Sequence, residues 1–319
     1  MNIKIGKTPL IEIKYKYKGK IDSICAKLEF YNLTGSIKDR VAYYIIKRAY
    51  DEGKLKKEMT IVETTSGNTG ISLAAMGAYF GNPVHIFMPN WVSKERIDLM
   101  KMYNATITLI SKEQGGFRRA ILEAEKYAQE NNAFLSNQFE NENNVLAHYE
   151  TTSREIIEQL EGKISGFVSG IGTGGTLIGV AKRLKHINDD IKIYALEPDK
   201  MPLLSQNKII SNHKIEGIGD DFIPKIVDKK MIDEIILVND EDSINMARKI
   251  ALNLGIGVGI SSGANMIASI LAKQNNLGNI VTIFPDDNKK YLSTDLSKPI
   301  NNDPNFISNK VEILDYEFV

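Results

Sequence analysis

Along the chain, short runs rich in β-branched residues alternate with longer stretches that carry the apolar period of a helix. The runs predict strands over 24–28, 60–63, 84–88, 106–110, 166–170, 192–197, 234–238 and 279–284. The stretches predict helices over 37–52, 68–80, 94–102, 116–129, 144–160, 174–184, 242–254 and 263–273. Strand followed by helix, repeated, implies an α/β fold with mainly parallel sheets and crossover helices. Such sheets bind ligands beyond the C-terminal ends of their strands, which gives weight to the loops that follow strands. Near the start, Ile11, Ile13, Tyr15 and Tyr17 alternate with Glu12, Lys14, Lys16 and Lys18. That period of two predicts a half-exposed strand whose lysines form a solvated face. The tail is rich in Pro and Asn until the apolar run Val311-Glu-Ile-Leu314.

Composition narrows the classes. The 319 residues suit two domains, and 43% apolar residues can fill their cores. Lys+Arg and Asp+Glu are both 40, so net charge gives no reason to expect nucleic acid or an anionic membrane as partner. No apolar run approaches bilayer length, and MNIKIGKTPL has no secretory core. The single cysteine, Cys25, excludes an internal disulfide and fits a cytoplasmic setting. It sits in a strand-like run and reads as a buried small hydrophobe. The four histidines, His85, His148, His186 and His213, have no metal-ligand spacing, so no metal is expected. No nucleophile elbow nominates a serine triad.

Three strand-to-helix loops are rich in Gly, Ser and Thr. In Thr34-Gly-Ser-Ile-Lys-Asp-Arg40, Ser36 can cap a helix whose first turn then holds Lys38. A helix N-terminus disfavours a cation and lowers an amine's pKa, as a Schiff-base lysine requires. On this loop alone, an unimportant surface lysine is the better reading. Glu63-Thr-Thr-Ser-Gly-Asn-Thr-Gly70 offers more hydroxyls than a cap needs and suits a carboxylate or phosphate. Gly170-Ile-Gly-Thr-Gly-Gly-Thr176 can wrap a phosphate. It equally fits a dinucleotide fingerprint through Gly170, Gly172 and Gly175, with Glu197 where a ribose-binding acid belongs. An NAD(P) oxidoreductase therefore stays open at this level, as does a binding or scaffold protein without catalysis. Asp220-Asp221 reads as a solvated turn.

Taken in order, these loops resemble the cysteine synthase and cystathionine β-synthase family of fold-type II enzymes that use pyridoxal phosphate. The resemblance runs from Ile5-Gly-Lys-Thr-Pro-Leu10 to Tyr291-Leu-Ser-Thr294, through Asn137-Gln-Phe139, Gly217-Ile-Gly219, Phe222-Ile-Pro224 and Gly259-Ile-Ser-Ser-Gly263. It implies that Lys38 holds the cofactor and then serves as the base for the α-proton. It implies that Gly172, Thr173, Gly174, Gly175 and Thr176 cradle the phosphate. Asn68 would bond the ring hydroxyl, and Ser261 would face the pyridine nitrogen. Thr65, Ser66, Thr69 and Gln138 would clamp the substrate carboxylate. The implied reaction is β-elimination or β-replacement on a small L-amino acid by way of an aminoacrylate.

The family architecture implies two domains with the cofactor in the cleft between them. The larger would hold 1–34 and 148–319; the smaller, 35–147, would be mobile. A homodimer is implied too. Leu33 and Thr64 depart from the family pattern with little consequence expected. Asp220 departs where a sulfhydrylase has alanine and cystathionine β-synthase has tyrosine, at a place that lines the pocket near the β-carbon. A carboxylate there would repel hydrosulfide and could take a proton from water or a thiol. The expectation is therefore L-cysteine as substrate, hydrogen sulfide as leaving group and Asp220 as base. The product would be L-serine or a thioether such as lanthionine. The rival is an ordinary cysteine synthase acting on O-acetylserine.

Overall fold

The computed structural model describes residues 3–276 and 278–319. Its strands are β1 (Leu10–Tyr17), β2 (Lys20–Leu28), β3 (Ile61–Thr64), β4 (Val84–Pro89), β5 (Thr106–Ile110), β6 (Phe134–Leu135), β7 (Gly166–Gly170), β8 (Lys192–Pro198), β9 (Glu234–Val238), β10 (Ile280–Phe284) and β11 (Val311–Phe318). The helices are α1 (Lys38–Asp51), α2 (Asn68–Phe80), α3 (Lys94–Met102), α4 (Gly116–Glu130), α5 (Glu142–Ala147), α6 (Ser153–Gln159), α7 (Gly175–Ile187), α8 (Leu203–Gln206), α9 (Asp240–Leu254), α10 (Ile260–Asn275) and α11 (Ile307–Lys310).

The strands form two sheets. The larger has the order β11-β1-β2-β10-β7-β8-β9 and the smaller β5-β4-β3-β6. The smaller sheet is parallel throughout, and the larger is parallel from β2 to β9. Parallel strands need crossover helices, which here cover the sheets and bury β3, β7 and β10 along nearly their whole length. The antiparallel edge, β11-β1-β2, follows a different rule. Ile11, Ile13, Tyr15 and Tyr17 turn inward while Lys14 and Lys16 stay exposed, as period two dictates. Cys25 is buried in β2, and burial pushes its thiol up to about 11.

Several expected elements shift. The helix expected over 144–160 is three segments, because a π-helical turn (His148–Thr152) separates α5 from α6. There Thr151 donates to the carbonyl of Ala147 and Ser153 to that of Tyr149, side-chain bonds that compete with the helical ladder. The short strand β6 was not expected, since two residues carry no period. Helix α10 begins at Ile260, so Ser261 lies in its first turn. The apolar run that ends the irregular tail, from Val311, forms β11 and pairs with β1.

The described core divides with the sheets. One apolar cluster gathers α1, α2, α3 and the smaller sheet, including Ile46, Leu73, Ile86 and Met100. Two others fill the faces of the larger sheet, around Ile267 and Phe284 on one side and Phe167 and Leu177 on the other. The C-terminal ends of β3, β7 and β10 lead into the residues that make the site.

Candidate active site

Lys38 is the first residue of α1, and its neighbours fix it without touching its amine. Asp39 is fully buried and accepts bonds from the amide and hydroxyl of Thr34, both at 2.6 Å. Arg40 is buried in turn, with its guanidinium shared between Glu29 at 2.7 and 2.8 Å and Glu155 at 2.7 and 2.8 Å. This network holds the start of α1 against the larger sheet. Ser36 caps the start of the helix from one position further out, its Oγ accepting the amide of Lys38 at 3.3 Å. Ile37 occupies the cap position, and Ser36 pairs with Asp286 in an isolated bridge beyond β10. Burial lowers the Lys38 amine to about 8, against the pull of Asp220 and Asp286, which favour its charge. Burial, more than the helix end, therefore brings this amine near neutrality.

The glycine loop 170–176 lies beside it, between β7 and α7. A Cβ at Gly172 would stand 2.2 Å from the carbonyl oxygen of Gly217, and one at Gly175 2.0 Å from Asn144 Oδ1. Gly174 has φ of 88°, which favours glycine directly. The amides of Gly172, Thr173 and Gly174 donate to no partner among the described residues. Thr173 Oγ1 takes a bond from Asn144 Nδ2 at 2.8 Å, and Thr176 Oγ1 lies 3.2 Å from His148 Nε2. His148 also meets Thr152 at 2.9 Å and is fully buried, so burial holds its imidazole neutral, far below the usual range. The loop is thus built from free amides, hydroxyls and neutral groups, which suits a phosphate held by dipoles.

The loop after β3 forms the opposite wall. Thr69 donates to Gln138 Oε1 at 2.6 Å, and Gln138 Nε2 donates to the carbonyl of Thr64 at 2.8 Å. Thr65 Oγ1 accepts from Gly67 at 3.1 Å, and Ser66 follows it at the rim. Glu63 supports this wall from beneath. Its carboxylate accepts the amides of Thr64 and Gln138 and the hydroxyl of Ser136, while burial pushes it up to about 7. Asn68 leans toward β10, donating to Asp286 Oδ2 at 2.8 Å, and Tyr291 donates to the same oxygen at 2.7 Å. Ser261 is buried and makes no side-chain bond to a described residue.

Asp220 completes the site. Burial raises its carboxyl to about 7, Asp221 adds to the rise, and Lys38 opposes it. Lys38 and Asp220 act on each other electrostatically, each favouring the other's charged form. Asp221, by contrast, turns outward to Arg118 at 3.1 Å.

The structure therefore brings together Lys38, Asn68, the 172–176 loop, Ser261, the Thr65–Gln138 wall and Asp220. Sequence reasoning missed Asp286, Asn144, His148 and Glu63. Asp286 had a signal, because it follows the end of a buried parallel strand. The others are single polar residues whose partners lie far away in sequence. The dinucleotide alternative fails on Glu197. Its carboxylate is spent on the amides of Leu204 and Ser205, at 2.8 and 3.0 Å, and on the Ser205 hydroxyl. Among the described residues no cluster of His, Cys, Asp and Glu is placed to hold a metal ion, and no helix is long and apolar enough to cross a membrane.

The site fits pyridoxal phosphate on its own chemistry. Free amides and a glycine seam that no Cβ could share await a phosphate. Asn68 Oδ1 and Asp286 Oδ1 are buried with no partner among the described residues, and Asp286 acts electrostatically on the near-neutral amine of Lys38.

Comparison with known proteins agrees. The family model described as pyridoxal-phosphate dependent enzyme matches residues 1–286. Cysteine synthase B of Campylobacter jejuni is 43% identical over 294 residues, covering 92% of this chain and 96% of that one. A hydrogen sulfide-producing enzyme of Fusobacterium nucleatum superposes with a TM-score of 0.93 at 46% identity, over 99% of this chain and 97% of that one. A variant hydrogen sulfide-producing enzyme, solved with an α-aminoacrylate intermediate, gives 0.94 at 45% identity, over 97% and 95%.

Proposed function

The chain belongs to the family of pyridoxal-phosphate-dependent enzymes, and from that premise we propose that it converts L-cysteine to hydrogen sulfide and a β-substituted product, with Asp220 activating the incoming nucleophile. The class of reaction, β-elimination and β-replacement on an amino acid, is that of its cysteine synthase relatives and hydrogen sulfide-producing neighbours. What carries the finer reading is the Asp220 carboxyl, raised to about 7 by desolvation and electrostatically linked to Lys38, on a loop in close backbone contact with the 170–176 loop.

When bound, pyridoxal phosphate supplies an electron sink for the charge left at Cα as its proton departs. In this reading the 172–176 loop and Thr176 hold the phosphate, Asn68 meets the ring hydroxyl, and Ser261 meets the ring nitrogen. Thr65, Ser66, Thr69 and Gln138 bind the substrate carboxylate. The Thr69–Gln138 bond pre-forms that wall, which directs the α-proton toward Lys38. Lys38, with its amine near 8, takes the α-proton, and hydrosulfide leaves from Cβ. Asp220, with its carboxyl near 7, then takes a proton from water or from a second thiol as that nucleophile adds to Cβ. With water the balance is L-cysteine plus water giving L-serine plus hydrogen sulfide. With a second cysteine it is lanthionine plus hydrogen sulfide.

A carboxylate in this poorly screened chamber also repels hydrosulfide, so the reverse use, as a cysteine synthase, is disfavoured. The 43% identity to cysteine synthase B supports that second reading, in which O-acetylserine is the substrate and sulfide the nucleophile. The division into a larger unit, 1–34 and 148–319, and a mobile unit, 35–147, follows the two sheets and belongs to the same proposal. A cytoplasmic homodimer rests on the family resemblance.

The test gives the purified holoenzyme L-cysteine or O-acetylserine with sulfide, and follows sulfide, serine, lanthionine and cysteine. We expect sulfide and serine or lanthionine from L-cysteine, at rates that fall by about 100-fold in Asp220→Ala. Absence of sulfide, or rates unchanged in Asp220→Ala, would overturn the reading.

A further inference from the structure

Asp220 has no side-chain hydrogen bond to hold it among the described residues. Its position is therefore set by its main chain, and the loop that carries it is gripped from both sides of the cleft. On the larger-sheet side, Gly219 donates to the carbonyl of Ile171 at 2.9 Å, and His213 Nε2 meets the carbonyl of Gly219 at 2.8 Å. Ile215 and Ile218 are buried in the core of that sheet. On the smaller-sheet side two arginines reach across. Arg96 of α3, 2% exposed, donates to Glu216, to Ser93 at 2.9 Å, and stacks over Tyr291 at 4.7 Å. Arg118 of α4 donates to the Asp221 carboxylate at 3.1 Å and to its carbonyl at 3.2 Å. Beside it Phe117 stacks on Phe222 at 6.2 Å and 24°, and Phe139 closes edge-on at 5.0 Å.

We propose that Arg96 and Arg118 form a clasp of positioning residues. By holding Glu216 and Asp221, four and one residues from Asp220, they set where the carboxylate stands over the reacting carbon and tie it to the smaller-sheet side of the cleft. The proposal rests on the reading of Asp220 as the base. Three features support it. Both grips come from helices of the smaller sheet, whereas the loop's own core contacts are with the larger one. The two anchors bracket Asp220, so both must hold for its main chain to keep one path. Arg118 also pairs with Asp221, the like charge beside the base, and keeps that carboxylate turned away from the chamber. Arg118 and Asp221 are largely exposed, so their pair adds little to stability and can be removed without unfolding the chain.

The test uses the holoenzyme with Arg118→Ala, Arg118→Lys and Glu216→Gln, each alone and combined with Asp220→Asn. Amide exchange over 213–222 is read without substrate, and first-turnover sulfide and steady-state serine are read with L-cysteine. We expect faster exchange over 213–222 in Arg118→Ala and Glu216→Gln, with exchange over 166–176 unchanged. Steady-state serine falls by about 3- to 10-fold while first-turnover sulfide holds, and Arg118→Lys recovers part of the loss. In the Asp220→Asn background the additional loss disappears. Unchanged exchange overturns the clasp, and so does an equal loss of serine with and without Asp220. Wild-type serine formation by Asp220→Asn alone overturns the role of Asp220, a failure that is distinct because exchange still reports whether the arginines hold the loop.

Discussion

The two loops that meet at Lys38 are built on opposite principles. The 170–176 loop uses amides, hydroxyls and a neutral buried histidine, and its position is fixed by glycines packed against the Gly217 backbone and against the side chains of Asn144, Ile218 and Val227. The 213–222 loop carries ionisable groups, two carboxylates side by side, and is held by ion pairs and aromatic stacking. Dipoles fixed by the backbone can neutralise an anion without themselves titrating. A buried carboxylate titrates near neutrality and can exchange a proton during a reaction. The first arrangement is suited to holding a cofactor, and the second to choosing what attacks.

That contrast breaks most readily at the residue both loops serve. Lys38→Ala removes the amine that joins cofactor and substrate chemistry. The purified variant should lack the visible absorption of bound cofactor, and sulfide release from L-cysteine should fall by about 1000-fold or more. An absorbing, active variant would remove Lys38 from both roles. The seam between the loops gives the next effect. Gly172→Ala places a Cβ 2.2 Å from the Gly217 carbonyl, so backbone must move. Cofactor titration should show affinity weaker by about tenfold, and amide exchange should rise in 213–222 as well as in 170–176. A change confined to 170–176 would show that the loops are mechanically separate.

The smallest effect concerns stability. Folding raises the Asp220 carboxyl from the ordinary aspartate value of 3.8 to about 7, so the fold favours its protonated form. That contribution is fully present below the unfolded pKa and is lost as pH rises through about 7. Asp220→Asn should therefore melt higher than the wild type above neutral pH, with the gain shrinking as pH falls toward 4, by thermal unfolding of both proteins across that range. The histidine that supports the other loop is shifted the opposite way, burial holding the His148 imidazole well below its usual range.

Much of this arrangement was legible in the sequence. Glycine runs after strands mark close backbone approach, and the order of the loops resembles one family, so Lys38, Asn68 and the 172–176 loop could be placed together before any coordinates. The strands at 106–110, 166–170 and 234–238 have the observed limits, because their flanking residues break the period sharply. Other features had no local signature. The π-turn at His148 arises from side chains bonding back to the helix, and β6 exists only through its neighbour β3. Arg96 and Arg118 look like ordinary amphipathic-helix cations until their partners, more than a hundred residues away, are brought beside them. Locally the Asp220-Asp221 pair reads as a solvated turn, and only tertiary contacts separate Asp221, paired with Arg118, from Asp220, which makes no side-chain bond to a described residue.

The close approach of Gly172 to Gly217 has a consequence for how such a protein can acquire a new reaction. The path of the 213–222 backbone is moulded on the 170–176 loop, and Gly217 and Gly219 adopt φ of 91° and 71° to follow it. Heritable change there is constrained in shape, and positions 216 and 221 are tied to their arginines. Position 220, which makes no side-chain bond to a described residue, is the one free to vary, so selectivity for the attacking group can drift by a single substitution while the rest of the site is passed on intact.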